Sequence, residues 1–93
     1  MTGDMLTAYI LSEVPSHIEA IIDIAKEYDS TAKSFDEVSA VIWEEGDTAD
    51  ICHAANLGGH INQLFALARN FNLDLPEEFK ALSVWADVIN PSS

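Results

Sequence analysis

Apolar side chains recur every three or four residues along this chain, and that spacing limits the folds it can adopt. Two stretches show the pattern most clearly, one with Ile18, Ile21, Ile22, Ala25 and Tyr28, the other with Ile61, Leu64, Phe65, Ala68 and Phe71. Such spacing places side chains on one face of an α-helix, whereas a strand shows strict alternation, which is absent here. The sequence therefore predicts an all-α fold: a compact bundle of about five short helices in a single domain covering residues 1–93.

Local signals predict where the first three helices begin and end. The first is expected to begin near Asp4 and to be interrupted at Pro15, because proline disfavours the helical conformation of the residue before it. Residues 16–19 and 34–37 each place a serine three positions before a glutamate, which is the capping-box pattern. These two patterns predict the starts of the second and third helices, and Gly46 is predicted to end the third.

A glycine pair divides the second half of the chain. Asp47 or Thr48 is predicted to cap a short helix, which Gly58 and Gly59 are expected to end or bend. The apolar stripe over 61–71 follows this pair, and a last helix is expected after the proline at position 76.

The charge balance favours a basic partner. Sixteen acidic residues against four basic ones give a formal net charge of −12, which disfavours direct binding to nucleic acid or to an anionic membrane. Apolar residues make up 48% of the chain, enough for a core without metal or disulfides. A lone cysteine, no secretory leader pattern and no long apolar run together favour the cytoplasm.

No combination of residues predicts catalysis or a bound cofactor. Cys52 and His53 are adjacent, but consecutive helical residues point about 100° apart, so a small buried cysteine is the expected reading. Asp50, His53 and His60 share a face only if the helix continues through the glycine pair, and they lack a fourth ligand. The sequence therefore predicts neither an enzyme nor a metal site.

Trp43 is the most distinctive candidate for a binding residue. On a helical wheel it lies away from the Phe35, Val38, Val41 and Ile42 stripe, so it is exposed unless another helix packs on that side and leaves only the acids in solvent. An aromatic anchor among carboxylates suits a basic, partly apolar surface. The predicted partner-binding residues are Asp36, Trp43, Glu44, Glu45, Asp47 and Asp50. Val84 and Val88 lie opposite the main stripe of the last helix and form a secondary interface candidate.

The leading functional hypothesis is a noncatalytic protein-binding inhibitor whose acidic face blocks a basic surface on a larger protein, and a surface that binds nucleic acid is one candidate for it. In size and charge the chain is similar to immunity proteins, antitoxins and phage anti-restriction or anti-CRISPR proteins, although no motif identifies one family. DNA mimicry is a narrower version, which requires carboxylates spaced like phosphates along an elongated face. Two alternatives are a structural or regulatory subunit, including a homodimer, and a small metal-dependent enzyme or sensor.

Overall fold

The computed structural model describes residues 2–89, with side chains described from residue 4 onward. Within this range the chain is helical, with short connections and no strand, which confirms the all-α prediction. The elements are α1 (Thr2–Lys26), α2 (Phe35–Glu45), α3 (Thr48–Asn70), α4 (Glu77–Lys80) and a 3₁₀ helix (Ala81–Asp87) that directly follows α4. The described residues thus form four α-helices rather than about five, because two expected breaks do not occur.

The first missing break is at Pro15, which lies inside α1. The predicted start of a new helix at 16–19 is therefore wrong. Proline inside a helix costs about 3 kcal/mol through a lost hydrogen bond and a steric clash. The fully or largely buried side chains on both sides of it share one stripe: Ile10, Val14, Ile18 and Ile21. Burying each contributes about 1.5–3 kcal/mol, so a continuous stripe outweighs the local penalty.

Local capping at α2 and at the start of α3 agrees with the sequence prediction. The Ser34 side chain accepts a hydrogen bond from the Glu37 amide, and the Glu37 carboxylate accepts one from the Ser34 amide, both at 3.1 Å. Amide hydrogen bonds, chiefly from Ser34, hold the pKa of Glu37 below its ordinary value. Gly46 ends α2, and the Asp47 side chain caps α3 through the Asp50 amide.

The second missing break is at the glycine pair, since α3 runs through both glycines. Gly58 is buried, and a Cβ built there would lie 2.8 Å from the carbonyl oxygen of Ala86. The same construction at Gly59 meets nothing within 4 Å. Gly58 therefore permits close approach of the C-terminal segment rather than acting as a hinge.

α3 ends where Asn72 adopts a left-handed conformation with φ 52°. The Leu73 amide donates to the carbonyl of Ala68, and the Asn72 amide donates to that of Arg69. This pair of hydrogen bonds is a Schellman motif, which satisfies the last carbonyls of the helix. Asparagine tolerates the left-handed conformation better than most residues do.

The C-terminal segment is a 3₁₀ helix, and its tighter winding changes which residues face inward. In a 3₁₀ helix residues three apart share a face, so Leu82, Trp85 and Val88 line up. Trp85 and Val88 are buried, whereas Val84 is 43% exposed. The prediction that Val88 belongs to an exposed interface is therefore wrong, because it assumed α-helical periodicity.

One core connects these elements. α1 and α3 pack along each other, and the 3₁₀ helix packs on α3. Tyr28 and Phe71, the last residues of their predicted stripes, are exposed rather than buried. The structure is elongated, with extents of 44 × 23 × 21 Å. Among the residues that the structure describes, no helix combines the length and apolarity needed to cross a bilayer.

Candidate functional site

The exposed side of α2 carries the tryptophan singled out from the sequence. Trp43 is 47% exposed, while Val38 and Ile42 on the opposite side of the same helix are fully buried. Ala40, one turn earlier, is also exposed, so the indole has an apolar neighbour on this surface. An apolar spot on this surface is therefore available to another molecule.

Carboxylates accompany Trp43 along this side. Helical spacing places Asp36 and Glu44 within about 100° of Trp43 around the axis, and both are exposed. Glu45 is exposed too, but it lies about 200° from Trp43 and points to another side of the helix end. α2 contains no basic residue. We call the set formed by Asp36, Ala40, Trp43 and Glu44 the Trp43 face.

The acidic residues at the two ends of α2 have opposite effects on the stability of the helix. Asp36 and Glu37 lie in the first turn, where the helix dipole favours negative charge. Glu44 and Glu45 lie in the last turn, where the dipole disfavours it by about 0.3–1 kcal/mol per charge, and no basic residue offsets them. Asp36 and Glu37 therefore stabilise α2, whereas Glu44 and Glu45 destabilise it. Helix stability does not explain why the last turn is acidic.

Asp47 and Asp50, also predicted as partner-binding residues, have structural contacts at the start of α3. Asp47 caps the helix by accepting from the Asp50 amide at 2.8 Å. The Tyr28 hydroxyl donates a hydrogen bond to the Asp50 carboxylate. This hydrogen bond raises the pKa of Tyr28 to about 12, since the neighbouring carboxylate favours the protonated phenol. The pair joins the turn after α1 to the start of α3.

The remaining predicted residues are dispersed. Val84 is exposed, but Val88 is buried, and its carbonyl accepts a hydrogen bond from the Ser39 hydroxyl at 2.7 Å. The secondary interface is thereby reduced to one valine. Cys52 is exposed, so the prediction that it is a small buried core residue is wrong.

The structure does not assemble the metal ligands considered from the sequence. α3 does continue through the glycine pair, as that hypothesis required, but Asp50 is engaged by Tyr28 and His60 contacts the ring of His17 on α1. Within residues 4–89, no group of three or more histidines, cysteines or carboxylates is arranged to hold a metal ion.

Sequence reasoning also missed a groove beside the C-terminal half of α3. It has a volume of about 540 Å³ and is lined by Phe65, Ala68, Arg69, Asn72, Leu73, Asp74, Leu75, Lys80 and Ser83. Two of the four basic residues of the chain, Arg69 and Lys80, meet here because the turn after α3 reverses the chain direction. The spacing of eleven residues between them gave no periodic signal.

Comparison of the chain with protein-family models, with curated proteins and with solved structures finds no match.

Proposed function

We propose that this protein is a noncatalytic protein-binding inhibitor that covers a basic surface of a larger protein with its Trp43 face. The observation that carries the proposal is a half-exposed tryptophan on a helix whose charged residues are all acidic. Tryptophan is among the residues most enriched at the energetic centres of interfaces. Carboxylates around it favour a partner rich in lysine and arginine.

The exposed part of Trp43 is large enough to matter for affinity. A tryptophan buries up to about 250 Å², so its 47% exposed fraction corresponds to roughly 120 Å² that a partner can cover. At about 25 cal/mol per Å² this burial contributes about 3 kcal/mol, or about 100-fold in Kd. The acids around it mainly raise the association rate and orient the partner.

DNA mimicry is a narrower form of the proposal, and charge density argues for only partial mimicry. The molecule is 44 Å long, and a duplex of that length carries about 26 phosphate charges at one per 1.7 Å. The full sequence carries a net charge of −12, about half as many. We therefore favour an interface centred on an apolar anchor over one made of carboxylates alone.

The alternative of a structural or regulatory subunit, including a homodimer, depends on a different surface. Val84 is its remaining exposed residue after the burial of Val88. For a cellular location we propose the cytoplasm, where the exposed thiol of Cys52 stays reduced.

Partner capture from a host lysate tests the proposal. We compare the unsubstituted protein with the Trp43→Ala variant and with the Glu44→Lys/Glu45→Lys variant at low and moderate salt concentrations. The proposal predicts capture of a basic protein that both variants lose, with binding weakened but not abolished by salt. DNA competition that removes the captured protein supports blocking of a nucleic-acid-binding surface.

Glu77→Lys/Glu78→Lys serves as the charge-matched control, because both glutamates are exposed on α4 and Phe79 of the same helix packs against Phe65 in the C-terminal half of α3. Capture that is equal for all variants would contradict the proposed site. Equal loss in Glu44→Lys/Glu45→Lys and in Glu77→Lys/Glu78→Lys would mean that net charge alone accounts for the interaction.

A further inference from the structure

A second surface, between α1 and α3, brings two histidines from different helices together. A groove of about 310 Å³ is lined by Tyr9, Glu13, His17, His60, Gln63, Leu64 and Leu67. The ring centres of His17 and His60 are 5.6 Å apart, with an angle of 53° between the ring planes. The rings therefore face a shared space without stacking.

The ring separation fits coordination of one ion by both imidazoles. Zinc binds histidine nitrogen at about 2.0–2.1 Å, so an ion held by one nitrogen of each ring at a tetrahedral or wider angle separates the ring centres by about 5–6 Å. The observed 5.6 Å lies in this range.

A hydrogen bond already orients one of the rings. Nδ1 of His17 lies 2.6 Å from the carbonyl oxygen of Glu13, one turn earlier on α1. A carbonyl can only accept, so Nδ1 carries the proton and the lone pair of the neutral ring is on Nε2. Metal-binding histidines commonly donate their other ring nitrogen to a carbonyl in this way.

We propose that His17 and His60 together bind a divalent transition-metal ion of the class that prefers imidazole, such as Zn²⁺. The protein supplies two nitrogen ligands, and water or a group on another molecule completes the coordination. The site lies on α1 and α3, so it is independent of the Trp43 face. Because the ion links two helices, its binding stabilises the folded state.

Isothermal titration of the untagged full chain with Zn²⁺ alone tests this site. We expect about one ion per chain, with affinity reduced about tenfold or more in both His17→Gln and His60→Gln. His53→Gln is the matched control, since His53 is exposed on the same helix two turns before His60, and its affinity should equal that of the unsubstituted protein. Circular dichroism checks that each variant folds.

Excess Mg²⁺ separates this site from general attraction to the acidic surface, because Mg²⁺ prefers oxygen ligands and should not displace Zn²⁺. The proposal is overturned by absence of Zn²⁺ binding, by displacement with Mg²⁺, by an equal loss in His53→Gln, or by a loss in only one of the other two variants. A rise in Tm with Zn²⁺ that both of these variants abolish is the expected second readout.

Discussion

The two tryptophans of this chain lie in opposite environments although both belong to helical segments. Trp85 is 7% exposed and packs edge-on against Phe35, with ring centres 5.4 Å apart and planes at 89°. Trp43 is 47% exposed on α2, beside carboxylates. Trp85 fixes the C-terminal 3₁₀ helix to the core, whereas the core does not account for Trp43. The difference separates a residue kept by packing from one available for binding.

The largest expected effect is loss of stability in Trp85→Ala. Truncating a buried tryptophan costs about 3–5 kcal/mol, because packing is lost and a cavity remains. Trp43→Ala should cost less, about 1–3 kcal/mol, since about half of its surface is already in water. Urea unfolding followed by circular dichroism measures both values. Similar losses for the two variants would remove the distinction between these tryptophans.

Substitutions of the glycine pair test how the 3₁₀ helix that contains Trp85 packs on α3. Gly58→Ala should destabilise the fold by about 1–3 kcal/mol, because the new Cβ would press on the Ala86 carbonyl, which cannot move independently of the backbone. Gly59→Ala should stabilise it by about 0.5–1 kcal/mol through helix propensity. Thermal unfolding of both variants checks that the two changes in stability have opposite signs. Equal effects would mean that the backbone at Ala86 does not approach Gly58 closely.

Substitution of the acids at the end of α2 separates stability from binding near Trp43. Glu44→Gln/Glu45→Gln should raise the free energy of unfolding by about 0.3–1 kcal/mol per site, because the helix dipole disfavours these charges. The same variant should bind the captured partner more weakly. As the control, Asp36→Gln should lower stability instead, since Asp36 lies in the first turn. A destabilised Glu44→Gln/Glu45→Gln variant would contradict the dipole argument.

The smallest effect at neutral pH is expected for Tyr28→Phe, because its hydroxyl is at the surface. Tyr28 has a folded pKa of about 12 against 10.0 for the free group, so its contribution to stability is complete below pH 10 and is lost as pH rises through 12. Unfolding measured across this range should show a smaller decline for Tyr28→Phe. An unchanged slope would mean that the hydrogen bond to Asp50 does not form in solution.

Local sequence signals predicted the elements whose ends depend on local contacts. The capping box at 34–37, the stop at Gly46 and the Asp47 cap all occur, because each is made by residues within four positions. The same capping-box pattern at 16–19 failed because long-range burial of Val14 and Ile18 keeps α1 continuous. Identical local signals therefore gave different results according to what packs against them.

The candidate sites show the same limit. Exposure of Trp43 followed from periodicity within one helix, whereas the burial of Val88 required knowledge that the last segment is a 3₁₀ helix. The contact between His17 and His60 joins residues 43 positions apart and depends on how α1 packs on α3. Sequence spacing carries no information about such pairs when the helix packing order is unknown.

Quantitative capture of the partner by Trp43→Ala and Phe71→Ala at the same salt concentration tests the central claim most directly. Phe71 is an exposed aromatic residue at the C-terminal end of α3. It lies about 34 Å along the helix axis from Thr48, where α3 begins next to α2. We expect Trp43→Ala to bind the basic partner with a Kd about 100-fold higher, while Phe71→Ala binds it like the unsubstituted protein. Retention of full affinity by Trp43→Ala, with loss in Phe71→Ala, would contradict it and move the interface to the opposite end of the molecule.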